Sequence, residues 1–101
     1  MDLDKPLYTL SIAAEILEIH PRTLMMYEAL KLVVPQRTST NRRRYSQRDI
    51  FKLQTIQNLT RNHGVNLTGV RYVLSLMKLL YEHNVQPPDG LRDIDVSQLE
   101  A

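Results

Sequence analysis

Residues 20–28 read HPRTLMMYE and residues 37–45 read RTSTNRRRY, and the expected fold follows from these two segments. Pro21 suits the first position of a helix, because the N–H that proline lacks has no intrahelical partner there. We therefore predict a short helix from Pro21 to about Leu30. Its inward residues are Leu24 and Tyr27, and its outward residues near the N-terminal end are Arg22, Thr23 and Met26.

A second short helix is predicted just before this one. Thr9 or Ser11 offers a hydroxyl group as an N-cap. Ala13, Ile16 and Leu17 then repeat at helical spacing, which places the helix at about residues 10–18. Residues 19–20 form the turn, and two short helices joined by a tight turn make a helix-turn-helix.

The basic segment predicts a β-wing after the helix-turn-helix. Residues 32–35 are apolar and partly β-branched, too short for a helix, and are interpreted as the first wing strand or its lead. Residues 38–42 form a polar loop in which Asn41 can adopt a left-handed conformation. Residues 43–45 are the returning strand, whose neighbouring side chains point to opposite faces.

Two longer helices are predicted after the wing. Ser46 is a good N-cap for the third helix, with Asp49 three residues later, and this helix ends near Asn62. Its buried face is Ile50, Leu53, Ile56 and Leu59. The fourth helix starts within residues 65–68 and runs to about His83. The predicted fold is mainly α: a winged helix-turn-helix with two further helices and a small β-wing.

The fourth helix carries more apolar residues than one buried face requires. The first stripe is Val70, Val73, Met77 and Leu80, and the second is Tyr72, Leu76 and Leu79. The second stripe is predicted to meet another chain. The alternative is that the C-terminal tail folds back over it.

Three segments are expected along the chain. Residues 1–7 are a lead-in, residues 8–83 the folded domain, and residues 84–101 a short tail that begins around a Pro-Pro-Asp-Gly break at residues 87–90. The end of the tail, residues 91–101, forms either a short amphipathic turn or a disordered segment.

Charge distribution is more informative than net charge. The formal net charge of the 101 residues is only +2, but arginines are concentrated in residues 37–48. Such a block on a nearly neutral domain is typical of nucleic-acid binders. The chain has no cysteine and no apolar run of the length that spans a membrane, so a soluble cytoplasmic protein is expected.

DNA contact is the chemistry these residues favour. Arg22 and Thr23 lie at the end of the helix that a helix-turn-helix presents to base edges, and Tyr27 has a hydroxyl for a phosphate. Long arginines in a wing suit phosphates or a narrow minor groove. The alternative is a solvated charged loop. The predicted DNA-binding residues are Arg22, Thr23, Tyr27, Arg37, Arg42, Arg43, Arg44, Tyr45 and Arg48.

Catalysis and metal binding have little support in this sequence. The histidines at positions 20, 63 and 83 are scattered, and no His pair stands four residues apart on a helix. His20 is expected to cap the second helix or pack at the turn. We therefore expect no enzyme activity, no cofactor and no metal.

The sequence resembles the MerR family of bacterial transcription regulators over about residues 7–80. The motifs that carry the resemblance are Tyr8-Thr9-Leu10, Thr23-Leu24-x-x-Tyr27-Glu28, Leu32-x-x-Pro35 and Arg43-Arg44-Tyr45-Ser46-x-x-Asp49-Ile50. Within that family it is most similar to heat-shock repressors of the HspR type. Residues 20–24, 35–38, 45–50 and above all 64–70, which read GVNLTGV, point to this subgroup.

The resemblance implies a winged helix-turn-helix dimer that binds an inverted repeat in promoter DNA. Members of the HspR type repress chaperone operons, with a DnaK-type chaperone as co-repressor. By position, the DNA contacts carried over are Arg22, Thr23 and Tyr27 from the second helix, and Arg43, Arg44 and Tyr45 from the wing.

The chain departs from the family pattern at three places. Met25 stands where the family usually has Arg, and Lys31 stands where it usually has Gly. A long dimerisation helix should follow the fourth helix, but Pro87-Pro88 and a short tail stand there instead. Dimerisation then uses the second stripe of the fourth helix, or the chains assemble side by side on DNA. Neither a cysteine-based metal sensor nor an effector-binding domain is expected.

Two other functions stay open at this point. One is a small architectural DNA binder of the excisionase type, from the same structural lineage. The other is a protein-interaction module that uses the second stripe and the acidic tail to bind a chaperone or RNA polymerase.

Overall fold

The fold of this chain is given by a computed structural model that describes residues 2–97 and 99. It forms two compact units, the first unit being Met1–Leu53 and the second unit Gln54–Ala101. The elements are α1 (Leu10–Leu17), α2 (Pro21–Ala29), β1 (Gln36–Arg37), β2 (Arg43–Arg44), α3 (Gln47–Asn62), α4 (Leu67–Glu82) and a 3-10 turn (Asp89–Leu91). A mainly helical chain with one small antiparallel sheet confirms the predicted fold class.

The first two helices begin at side-chain caps. Thr9 is the cap of α1, and its Oγ1 accepts from the backbone N–H of Ile12 at 3.2 Å. His20 is the cap of α2, and its Nδ1 accepts from the backbone N–H of Arg22 at 3.0 Å. Pro21 occupies the first turn, as predicted. Each cap satisfies an N–H group that the helix itself leaves without an acceptor.

Helix α2 ends in a Schellman turn made without glycine. The N–H of Lys31 donates to the carbonyl of Glu28 at 2.8 Å, and the N–H of Leu32 donates to that of Tyr27 at 3.0 Å. Lys31 takes a left-handed φ of 58° there, and Glu18 takes 56° at the end of α1. The exit from α2 therefore uses a side chain where glycine fits without strain.

The wing is shorter than predicted and starts later. Strand β1 begins at Gln36 and pairs antiparallel with β2, with Gln36 opposite Arg44 and Arg37 opposite Arg43. Of the two alternatives predicted for residues 32–35, the first wing strand is wrong and the lead into that strand is confirmed. Leu32 and Val33 are buried directly after the α2 turn. The next residue but one, Pro35, has no N–H to donate to a strand partner.

The wing loop closes as expected from its polar sequence. The N–H of Thr38 donates to the carbonyl of Arg42 at 2.8 Å, and the N–H of Asn41 donates to that of Thr38 at 2.9 Å. Asn41 has a φ of 63°, which confirms its predicted left-handed conformation. Beyond the wing, Tyr45 pairs with Tyr8 in an isolated bridge, which joins the residue after β2 to the residue before the α1 cap.

A reciprocal capping box starts α3. The N–H of Asp49 donates to Ser46 Oγ at 3.0 Å, and the N–H of Ser46 donates to Asp49 Oδ2 at 3.0 Å. The buried apolar residues of the first unit are Ala13, Ala14, Leu17, Leu24, Tyr27, Leu32, Val33, Tyr45, Ile50 and Leu53. Ile16 is exposed, because the two alanines and Leu17 form the inward side of α1.

The second unit contains the rest of α3, α4 and the tail. Gly64 turns the chain with a φ of 67°, and Asn66 caps α4 by accepting from the N–H of Gly69 at 2.8 Å. The buried apolar residues here are Ile56, Leu59, Val70, Met77 and Ile94. No helix within the described residues is long and apolar enough to span a membrane.

The tail packs within the second unit. Asp93 Oδ2 accepts from Asn58 Nδ2 at 3.0 Å and lies 3.0 Å from His63 Nε2. The next residue, Ile94, is buried. The 3-10 turn lies at Asp89–Leu91, and no helix is formed in residues 92–97 or at 99, so the amphipathic turn considered for residues 91–101 is absent from the described part of that range. Positions 98, 100 and 101 of that range lie outside the described residues.

Candidate nucleic-acid interface

The N-terminal end of α2 presents the residues predicted to meet base edges. Arg22 is exposed and Thr23 is half-buried, both in the first turn after the His20 cap. This turn contains no acidic side chain, so the positive end of the helix dipole is not neutralised from within the helix. Met25 and Met26 are exposed one turn later.

The two tyrosines predicted to contact DNA are largely or wholly buried. Tyr27 is 7% exposed, and its ring packs inward as its spacing predicted. Tyr45 is 0% exposed, and its hydroxyl has no hydrogen-bond partner among the described residues. Burial, and then the nearby Glu28 carboxylate, raise the pKa of Tyr45 to about 12. The Tyr45 side chain belongs to the core, which contradicts its predicted contact with DNA.

One carboxylate holds two of the wing arginines. Glu28, in the last turn of α2, accepts from Arg37 Nη2 at 2.9 Å and from Arg43 Nε. Arg37 and Arg43 are opposite each other in the hairpin, so both side chains leave the same face of the wing. Arg37 also donates from Nη1 to the carbonyl of Asn41 at 3.2 Å, which ties the loop to the same cluster.

The other two wing arginines are the neighbours of Arg43: Arg42 directly precedes β2, and Arg44 is its second residue. Arg42 is exposed and Arg44 is half-buried, with Arg44 Nη1 donating to the carbonyl of Arg43 at 2.8 Å. A shallow depression of about 350 Å³ is lined by residues 9–11 at the start of α1 and residues 41–44 of the wing. Strand alternation therefore divides the predicted arginines into two sets.

Arg48 makes an ion pair with the lead-in. Its Nε donates to Asp4 Oδ1 at 2.7 Å, and its backbone N–H donates to the carbonyl of Leu3 at 2.9 Å. The remaining arginine of the basic block thus anchors residues 3–4 at the start of α3. A DNA contact by Arg48 remains a prediction. In such a contact, a phosphate would compete with the Asp4 carboxylate for the Arg48 guanidinium group.

Sequence reasoning missed Glu28 and Asp4 as partners of the basic residues. Glu28 belongs to one of the family motifs, but its role depends on the hairpin register, which places Arg37 opposite Arg43. A signal was present in the sequence: Glu28 is the acidic residue closest to the basic segment on its N-terminal side. The Asp4–Arg48 pair joins residues 44 positions apart, and nothing local predicts it.

The second apolar stripe of α4 is uncovered. Tyr72 is 69% exposed, Leu76 61% and Leu79 52%. The described part of the tail packs instead beside Met77 and Leu80, where it lines a groove with Ile94 and Val96. The alternative in which the tail covers the second stripe is therefore wrong for the described residues.

Two helices joined by a tight turn and followed by a two-stranded wing define a winged helix-turn-helix domain. Residues 8–76 match the model of the family described as MerR HTH family regulatory protein. The match covers more than half of the chain, so the chain belongs to the MerR family.

Similar proteins include one named as a heat shock protein and two named as HTH-type transcriptional regulators. The heat shock protein HspR of Streptomyces coelicolor is 44% identical over 73 residues, which cover 72% of this chain and 48% of that protein. The HTH-type transcriptional regulator GlnR of Bacillus cereus is 33% identical over 94 residues, 93% of this chain and 71% of GlnR. TnrA of Bacillus subtilis, also named an HTH-type transcriptional regulator, is 37% identical over 67 residues, 66% of this chain and 60% of TnrA. The chain thus spans about half the length of HspR.

Proposed function

We propose that the chain is a sequence-specific DNA-binding transcription regulator, and that it represses chaperone or heat-shock genes. The observation that carries the proposal is the combination of an exposed Arg22 at the capped N-terminal end of α2 with a basic wing in the same unit. Family membership supports DNA binding. A regulator of transcription acts where the chromosome lies, so a cytoplasmic location is part of the proposal.

The proposed binding mode assigns a different task to each part. Helix α2 enters the major groove, where Arg22 can donate two hydrogen bonds to guanine and the Thr23 methyl group can contact thymine. Arg42 and Arg44 of the wing contact phosphates or the neighbouring minor groove. Tyr27 contributes by packing α2 and, through its small exposed part, by a phosphate contact.

The heat-shock assignment is supported by the 44% identity to a protein named HspR and by the sequence motif GVNLTGV at residues 64–70. Repression with a DnaK-type chaperone as co-repressor follows from that resemblance. Transcription in vitro from a chaperone promoter should fall when the chain is added, and fall further with the chaperone. A rise in transcript would contradict repression and would indicate a productive contact with RNA polymerase.

Dimer formation is proposed through the second stripe of α4. Tyr72, Leu76 and Leu79 repeat at a spacing of four and three residues, which is the spacing of an interhelical seam. A second copy bound there would cover three large side chains that are now exposed. Assembly side by side on DNA is the other arrangement that gives two recognition helices for an inverted repeat.

Selection of duplexes from a random-sequence pool tests the proposed function. The purified chain is expected to enrich a motif made of two inverted half-sites. Retention of duplexes without any enriched motif would contradict a specific regulator and favour the architectural binder. Retention of no duplex would favour the protein-interaction module.

A further inference from the structure

Glu28 forms a cluster with Arg37 and Arg43. A wing that bound DNA by its positive charge alone would not need this carboxylate. The Glu28 side chain is 16% exposed and the Arg43 side chain is 22% exposed, so this ion pair is partly shielded from water. The backbone carbonyl of Glu28 accepts from Lys31 in the turn that ends α2. The carboxylate therefore projects from a fixed point of the recognition helix.

We propose that Glu28 is a positioning residue for sequence discrimination: it holds Arg37 and Arg43 against α2 and withholds them from DNA phosphates. The inference rests on the proposed function, because it concerns how that function discriminates between duplexes. Arg42 and Arg44, the chain neighbours of Arg43, do not belong to this cluster. They are the wing arginines that neutralise phosphates.

The hydrogen bonds form one connected path from helix to loop. Glu28 accepts from Arg37, Arg37 donates to the carbonyl of Asn41, and Arg43 reaches Glu28 from the opposite strand. Charge-assisted hydrogen bonds from arginine have a restricted geometry, because the guanidinium group is planar. The wing is thereby fixed relative to the helix that reads bases, so wing contacts form only when α2 sits in register.

Withholding two arginines also lowers binding to arbitrary DNA. A free arginine neutralises a phosphate on any duplex, and each phosphate neutralised steepens the logarithmic salt dependence of binding by about 0.9. Arg37 and Arg43 already face a carboxylate, so they release few counterions from DNA. Glu28 thus improves the ratio of specific to non-specific affinity although it carries the same charge sign as DNA.

Two double variants with the same charge change test the proposal. Arg42→Gln with Arg44→Gln should reduce the salt slope on a scrambled duplex by about 2, because two phosphate contacts are lost. Arg37→Gln with Arg43→Gln should leave that slope nearly unchanged and reduce the preference for the selected duplex about tenfold. Anisotropy of both labelled duplexes at several salt concentrations gives slope and preference together.

Glu28→Gln tests the carboxylate itself. We expect it to reduce the preference for the selected duplex about tenfold and to steepen the slope on the scrambled duplex by about 2, because both arginines are released. In the Arg37→Gln and Arg43→Gln background, Glu28→Gln should have no further effect on the preference, as a double-mutant cycle requires. Glu15→Gln on α1 is the matched control, since it removes one exposed carboxylate outside the cluster.

The outcomes separate this inference from the proposed function. If the two double variants flatten the salt slope equally, Arg37 and Arg43 contact phosphates and the inference is overturned. A Glu28→Gln effect on the preference that persists without the two arginines also overturns it. A wild-type chain that binds both duplexes equally overturns the proposed function as well. If Glu28→Gln does not fold, the comparison of the two arginine pairs still decides.

Discussion

Tyr45 has a buried hydroxyl that no described residue satisfies, and this has a measurable cost. A buried polar group without a partner costs about 1–3 kcal/mol. Tyr45→Phe removes only that hydroxyl, so we expect the free energy of unfolding to rise by about 1 kcal/mol at pH 7 in urea titrations. DNA affinity should not change. A loss of stability instead would mean that the hydroxyl has a partner.

The pH dependence of the same variant has a definite sign. Because burial raises the pKa of Tyr45 from 10.0 to about 12, the folded chain keeps the proton at a pH where the unfolded chain loses it. The stability that this gives is complete below pH 10 and is lost between pH 10 and 12. The advantage of Tyr45→Phe should therefore grow across that window. A constant difference would contradict the burial of the ionisable hydroxyl.

Lys31 has a left-handed backbone that glycine adopts without strain. Its φ of 58° lies in the Schellman turn after α2, where a side chain costs about 1–2 kcal/mol. Lys31→Gly is expected to raise the free energy of unfolding by about 1 kcal/mol, measured by urea denaturation. Lys78→Gly within α4 is the matched control and should lower it by a similar amount, about 1 kcal/mol. A lower free energy of unfolding in both variants would contradict the left-handed conformation assigned to Lys31.

Among the elements, the tail is bound to the second unit through Asp93. Hydrogen bonds from His63 and then from Asn58 hold the pKa of Asp93 below its ordinary value of 3.8. Because the pKa of Asp93 is lowered in the folded state, its carboxylate stabilises the fold above pH 3.8. This stability is lost as the pH falls from 3.8 through the lowered pKa. Asp93→Asn should therefore be less stable than wild type near pH 6, with the difference shrinking below about pH 4.

Urea midpoints measured between pH 2 and pH 6 check this prediction. Asp89→Asn is the control, because the Asp89 side chain is 90% exposed and pairs only at the surface with Arg92. Its stability difference from wild type should be small at every pH. An Asp93→Asn difference that does not depend on pH would contradict the assigned role of the carboxylate.

Helix boundaries were predictable from sequence because their signals are local. The Pro21 start, the Ser46–Asp49 capping box and the turn at Gly64 each depend on residues within one turn of each other. The wing was predicted less well. Its strand bounds depend on burial of the residues after α2, and its cross-strand partners depend on a register that residue spacing alone does not give.

The candidate site shows the same division. The arginines were predictable as a basic block, but their separation into two sets required the pairing of Arg37 with Arg43 and the position of Glu28. Tyr45 matched a family motif and was predicted to touch DNA. Tyr45 is buried beside the bridge to Tyr8 because of tertiary packing. Strand alternation shows that neighbouring side chains point to opposite faces, but it does not show which face is buried.

At the scale of the whole molecule, oligomer formation is the property on which an inverted repeat depends. Leu76→Lys with Leu79→Lys places two charges on the exposed stripe of α4 and should reduce the mass of a dimer to that of a monomer in sedimentation equilibrium. Ile12→Lys, an exposed aliphatic residue on α1, is the control and should leave the mass unchanged. An unchanged mass in the double variant would contradict the proposed interface.

The measurement that tests the central proposal most directly is anisotropy of a labelled duplex carrying the selected motif, beside a scrambled duplex, at two salt concentrations. The account predicts a preference for the selected duplex of about 10³-fold or more, and affinities for both that fall steeply with salt. Equal affinity for the two duplexes at both salt concentrations would contradict sequence-specific regulation by this chain.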